Sequence, residues 1–102
     1  SDNFFILLSF LSIPLFAQNI AGIVLDEDGD PLPYASVYVR NNPIGGTMTD
    51  LNGRYILDVD FTTDPSDEVV FSFIGYRTEE FPLATIISDS NFVVTLPSTT
   101  VL

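Results

Sequence analysis

The chain has 102 residues and a mass of 11.2 kDa, enough for one small domain and too little for folds that need a large scaffold. Its 14 acidic residues face three basic ones, all arginine, for a net charge of −11, so no surface of it neutralises a run of phosphates and nucleic acid is not an expected partner. The absence of His, Cys, Trp and Lys removes histidine bases, thiol nucleophiles, Cys/His zinc sites, Schiff-base lysines and the lysine of a phosphate-binding loop.

The first element is Phe4 to Phe16, FFILLSFLSIPLF, a nearly unbroken apolar run closed by Ala17-Gln18. It reads as the hydrophobic region of a secretory signal peptide with a small residue at the cleavage point and Pro14 just before it. It is shorter than the roughly 20 apolar residues that span a bilayer. No Met or basic residue precedes it, as in a signal whose first residues are clipped. A buried core helix is the alternative, but neither caps nor helical periodicity accompany the run. A lipoprotein signal is excluded for lack of a Cys. Residues 1–17 are therefore expected to be a leader, and the folded domain to begin at Gln18. A small exported domain without disulfides points to a bacterial envelope.

From there the sequence reads as strands. Ile20 to Leu25 is continuously apolar, which suits a central strand. Ala35, Val37 and Val39 alternate with Ser36, Tyr38 and Arg40; Tyr55, Leu57 and Val59 alternate with Arg54, Ile56 and Asp58. Val69 to Ile74 is again continuous, and Phe92, Val94 and Leu96 alternate with Val93 and Thr95. Period two gives each strand one buried face. Between them stand Asp26-Glu27-Asp28-Gly29-Asp30-Pro31, Asn41-Asn42-Pro43, Asp50-Leu51-Asn52-Gly53 and Asp64-Pro65-Ser66-Asp67, all turn chemistry. No amphipathic helical window occurs after the leader, although Pro82 to Ser90 has room for a short helical turn. Six or seven short strands so punctuated predict an all-β protein, an antiparallel sandwich.

The order of blocks is specific. Ile20-Ala21-Gly22-Ile23-Val24, then Asp28 to Val37 (DGDPLPYASV), Gly45 to Thr49, Asp50-Leu51-Asn52-Gly53-Arg54-Tyr55 and Phe71-Ser72-Phe73-Ile74-Gly75-Tyr76 together resemble the carboxypeptidase-like regulatory domain. The likeness covers nearly the whole segment after the leader. It implies a seven-stranded, transthyretin-like (prealbumin-like, Ig-like) sandwich over residues 18–97, with 98–102 opening a linker. It also implies the setting in which such domains occur in Bacteroidetes. There they commonly follow a signal peptide and precede a larger unit, frequently the plug and barrel of a SusC-type TonB-dependent outer-membrane receptor, though other envelope proteins also carry the module. The family's label comes from zinc carboxypeptidases whose metal ligands sit in another domain, so no protease activity follows.

The residues carrying the resemblance, Gly22, Gly29, Pro31, Leu32, Ala35, Val37, Gly45, Thr49, Asp50, Gly53, Tyr55, Gly75 and Tyr76, have structural readings. Gly29 permits a reversal, while Pro31 and Pro33 interrupt the ladder and fix an extended path into the strand at Ala35. Gly45-Gly46 lets the chain pass close to a neighbour. Thr47, Thr49 and Asp50 are placed to bond locally ahead of a positive-φ turn at Asn52-Gly53. Gly75 swings Tyr76 over the sandwich edge.

Chemistry has fewer footholds. Asp26, Asp28 and Asp30, with Glu27, are weak candidates for a calcium site, but the spacing is not that of an EF-hand and a solvated acidic turn is the expected reading. Asp58 with Asp60, or Glu79 with Glu80, lacks the aromatic cleft of a glycosidase. No base stands ready to activate Ser36 or Ser72, and transthyretin-like hydrolases rely on histidines. The expected function is therefore non-catalytic and without cofactor: a periplasmic accessory domain of a nutrient-uptake receptor. Its expected partners are the plug and barrel of its own polypeptide and a component of the TonB system or another periplasmic protein. The alternative is a surface adhesin or glycan-binding module using Tyr34, Tyr38, Tyr55 or Tyr76. Arg40, Arg54 and Arg77 are expected in surface ion pairs.

Overall fold

The computed structural model describes residues 18–60, 62–89 and 91–99. The expected leader, 1–17, and the end of the expected linker lie outside them. The elements are β1 (Gln18–Leu25), β2 (Ser36–Val39), β3 (Asn42–Met48), β4 (Arg54–Val59), β5 (Glu68–Ser72), β6 (Glu79–Pro82), α1 (Leu83–Ile87) and β7 (Phe92–Thr95). They form two sheets, one three-stranded in the order β4-β1-β7 and one four-stranded in the order β3-β2-β5-β6. The apolar runs at Ile20 to Leu25 and Val69 to Phe71 occupy interior strands of the two sheets, as continuous apolarity requires.

All pairings are antiparallel except β1 with β7, which run parallel with Gly22 opposite Phe92 and Leu25 opposite Thr95. Seven strands that reverse direction at each connection leave the first and last pointing the same way, and these two become neighbours. Helix α1 makes the crossover between sheets. Its five residues bury Leu83 and Ile86, and Leu83 N–H donates to the Asp67 carbonyl at 2.8 Å and Ala84 N–H to Pro65 at 2.9 Å. The helix thus plugs the end of the sandwich opposite the β1–β2 loop.

The core is the inner face of both sheets. Ile20 and Val24 of β1, Tyr55, Leu57 and Val59 of β4, Val37 and Val39 of β2, Val69 and Phe71 of β5, and Val94 with Leu96 are buried in one cluster. In β4 the burial alternates without exception. Edge-to-face contacts run from Tyr55 to Phe71 at 5.4 Å, on to Phe81 at 6.1 Å and to Phe92 at 5.1 Å, in the preferred aromatic geometry.

Two strands are absent from the sequence reading. β3 spans the Asn42-Pro43 pair expected as a turn, and it shows almost no burial pattern because it is an edge strand. An edge tolerates Pro43 because one side of its backbone has no ladder to join. β6, with two glutamates and a terminal proline, is the opposite edge. With almost no burial in β3 and only partial burial at alternate positions of β6, neither strand carries a hydrophobic signature.

Candidate functional site

Thr49 builds a buried polar corner. Its side chain is buried, donates Oγ1–H to the Leu32 carbonyl at 2.6 Å and accepts from Ala35 N–H at 2.8 Å. The backbone adds Thr49 N–H to the Ala35 carbonyl at 2.9 Å and Tyr34 N–H to the Thr49 carbonyl at 3.0 Å. The expectation that Thr49 bonds locally is corrected: its partners lie 14 and 17 residues away. They hold the Pro31–Ala35 corner against the end of β3. Leu32 and Ala35 point into the core there. Tyr34 is driven to φ +65°, a left-handed conformation that bulky residues rarely adopt.

Asp50 does bond locally, accepting from Asn52 N–H at 2.8 Å and Arg54 N–H at 2.9 Å. This closes the turn in which Gly53 sits at φ +74°. A Cβ on Gly53 would lie 2.6 Å from the Val24 carbonyl oxygen, so the position needs glycine for space as well as conformation. Gly22 faces a similar constraint, with the Phe92 carbonyl oxygen 2.3 Å and the Tyr55 hydroxyl 2.7 Å from where a Cβ would stand. Gly29 and Gly75 also have positive φ. Gly45 and Gly46 lie in β3, and Gly46 runs close against Tyr38 and the Val37 carbonyl of β2.

Of the candidate calcium ligands, Asp26 is spent on its own loop. Asp26 Oδ1 accepts from Asp28 N–H and from Asp30 N–H, both at 2.9 Å, an Asx turn closing a reversal. No group of three or more His, Cys, Asp or Glu that could hold a metal ion occurs among the described residues. Asp58 is exposed on the outer face of β4, and Asp60 caps the next turn through Thr62 N–H at 2.9 Å. Glu80 forms an ion pair with Arg40 across the sheet surface.

The four tyrosines are dispersed. Tyr55 lies in the core, where its hydroxyl has no hydrogen-bond partner and burial pushes its pKa up to about 12. Tyr76 packs against Phe73 at 5.9 Å, Tyr38 is half-buried on β2, and Tyr34 is exposed. They form no aromatic platform. One cleft of about 460 Å³ opens between β2 and β3 beside Tyr38, Pro43 and Met48. A second, of about 280 Å³, lies over β1 and β4 beside Ala21, Arg54, Ile56 and Asn91. Neither gathers an acid, a base and a nucleophile. No helix among the described residues is long and apolar enough to cross a membrane.

The path out of β7 is fixed by hydrogen bonds. Leu96 N–H donates to Leu25, Arg77 N–H to Pro97 at 2.7 Å, and Thr99 N–H to Gly75 at 3.0 Å, while Ser98 N–H donates to Glu27 Oε1 at 2.7 Å. The first residues of the expected linker are thus bonded to two loops of the sandwich.

The described residues form a two-sheet sandwich shaped by structural glycines and a buried threonine corner. The chain belongs to the CarboxypepD_reg-like domain family, whose model matches residues 20–101. It is 43% identical over 77 residues to TonB-dependent receptor SusC of Bacteroides thetaiotaomicron, covering 74% of this chain and 7% of that receptor. It is 38% identical over 71 residues to TonB-dependent receptor P26 of Formosa agariphila, covering 70% of this chain and 7% of that protein. The chain therefore spans a small fraction of these relatives. The likeness places it in the periplasmic and outer-membrane setting of a Gram-negative envelope.

Proposed function

We propose that this domain is the periplasmic N-terminal module of a TonB-dependent outer-membrane receptor for nutrient uptake. In this reading residues 1–17 are its export leader and a plug and barrel follow in the same polypeptide. The observation that carries the reading is the match of most of this chain to a small part of two such receptors. The hydrogen-bonded path of residues 96–99 supports a positional role, because whatever follows leaves the sandwich in a set direction. The module contributes a rigid spacer and a protein contact surface, with transport chemistry left to the rest of the receptor.

Deleting residues 18–97 from the full-length receptor tests this. The expected result is a barrel that assembles normally in the outer membrane with nutrient uptake reduced. Unchanged uptake would remove the accessory role, and failure of the barrel to assemble would make the module a folding element instead.

A further inference from the structure

The chain leaves the sandwich along a short ladder of its own. Arg77 N–H donates to the Pro97 carbonyl and Thr99 N–H to the Gly75 carbonyl, and these two bonds flank the antiparallel Tyr76–Ser98 bridge. The Thr99 hydroxyl donates a further bond to the Gly75 carbonyl at 3.1 Å, and Ser98 N–H donates to Glu27. Residues 97–99 thus run as a strand segment beside 75–77. Antiparallel pairing sets the direction, so the residues after Thr99 are delivered to the 73–76 turn.

That turn presents an isoleucine to solvent. Ile74 is 94% exposed at the first inner position of a turn closed by Tyr76 N–H to the Phe73 carbonyl at 3.1 Å, a place that proline and polar residues suit better. Register brings a second apolar side chain to the same turn. Ser36 pairs with Ser72 in an antiparallel ladder, so Tyr34, two residues before Ser36, comes level with Ile74, two residues beyond Ser72. Tyr34 N–H also donates to the Thr49 carbonyl, while Ile23 pairs with Arg54 and Leu25 with Thr95. The 26–35 loop, the 49–53 turn, the 73–78 turn and the 96–99 segment therefore share one end of the sandwich, where Tyr34, Leu51 and Ile74 are exposed.

We propose that Ile74 and Tyr34 seat the apolar pair Val101-Leu102 of this same chain, making the junction at 97–102 a fixed joint and not a loose linker. Val101 and Leu102 lie outside the described residues, and they are the first aliphatic residues to follow Leu96. Two residues of extended chain span about 7 Å, enough to carry Val101 from Thr99 past Gly75 to its neighbour Ile74. The bonds at 97–99 hold the pair beside this surface at the millimolar effective concentration of a short tether. A second copy or a separate protein meets the same side chains without that advantage. The contact stands on this chain alone. Its role, holding the module at a set angle to the domain that follows, rests on the receptor reading above.

The test introduces a cysteine pair, Ile74→Cys with Leu102→Cys, into the full-length receptor in its own membrane, followed by mild oxidation and mapping of linked peptides by mass spectrometry. A disulfide needs Cα atoms within about 7 Å, and residues 1–102 contribute no other cysteine. Control pairs join Leu102→Cys to Ile44→Cys on β3 or to Ile87→Cys on α1, both exposed positions. The expected result is a 74–102 link within one chain in most molecules and little product from either control. No link, a link between two receptors, or equal yield at the controls would each overturn the proposal. Hydrogen exchange gives an independent measurement. Leu102→Asp should speed exchange of the Arg77 and Thr99 amides about tenfold, because their ladder loses the contact that closes it; unchanged exchange would count equally against the joint. A receptor without the 74–102 link whose uptake still depends on residues 18–97 loses the joint and keeps the accessory reading. A link in a receptor whose uptake ignores residues 18–97 keeps the joint and removes that reading.

Discussion

Thr49 concentrates more consequence in one side chain than any other polar residue in the molecule. Replacing it with the isosteric valine strands the Leu32 carbonyl and the Ala35 amide in a buried corner. Thr49→Val should therefore cost about 2 to 4 kcal/mol in denaturant unfolding, the penalty of leaving two buried groups unpaired; a cost near zero would show that the corner rehydrates. Tyr55 poses the opposite case, since its buried hydroxyl has no partner. Tyr55→Phe should stabilise the domain by about 1 kcal/mol, whereas a loss of stability would reveal a partner for that hydroxyl. The same burial raises the Tyr55 pKa from 10.0 to about 12. Because the fold favours the neutral phenol, this stability is intact below pH 10 and is lost as pH rises toward 12. Absorbance titration should show a tyrosine step displaced toward pH 12, and Tyr55→Phe should remove it. None of this was legible in advance, because the sequence pointed to Thr49 and Tyr55 without revealing what each would meet across the core.

At the scale of elements, what could be read tracks what is buried. β1, β2, β4, β5 and β7 each announce themselves by apolar period or continuity, and their inward residues form the core. β3 and β6 are silent because edge strands select against apolar alternation. The short helix fell inside the window that allowed one, at Leu83–Ile87. Turns were readable wherever a side chain closes its own loop. The 50–53 turn depends on Gly53, and Gly53→Val should cost at least about 2 kcal/mol in left-handed strain and collision with the Val24 carbonyl; a wild-type melting temperature would contradict that geometry. In the 64–67 turn Asp64 accepts from the Ser66 amide and hydroxyl, both at 2.9 Å. These bonds, the amide first, hold its carboxyl below the ordinary 3.8. The turn's contribution is thus present above that value and fades as pH falls through the lower folded pKa. Ser66→Ala should move the Asp64 titration only part of the way back, since the amide bond persists; an NMR titration with no shift would assign the whole effect to the backbone.

For the whole molecule, charge and composition narrowed function more than any motif. A chain with no histidine, cysteine or lysine and a net charge of −11 is poorly equipped for most side-chain catalysis, and Asp26, Asp50, Asp60, Asp64 and Asp89 each close a turn. The ordered blocks of glycine, proline and Asp-Leu-Asn-Gly carried the family resemblance, which the match over residues 20–101 establishes. What sequence order did not disclose was that four loops distant along the chain meet at one end with exposed apolar side chains, because that follows from register between the strands. The most direct measurement of the account is the coding sequence beyond Leu102. It should continue into a plug and then into membrane-spanning β-strands of about ten residues with alternating apolar positions. A stop codon there, or a hydrolase domain in place of the barrel, would contradict the account.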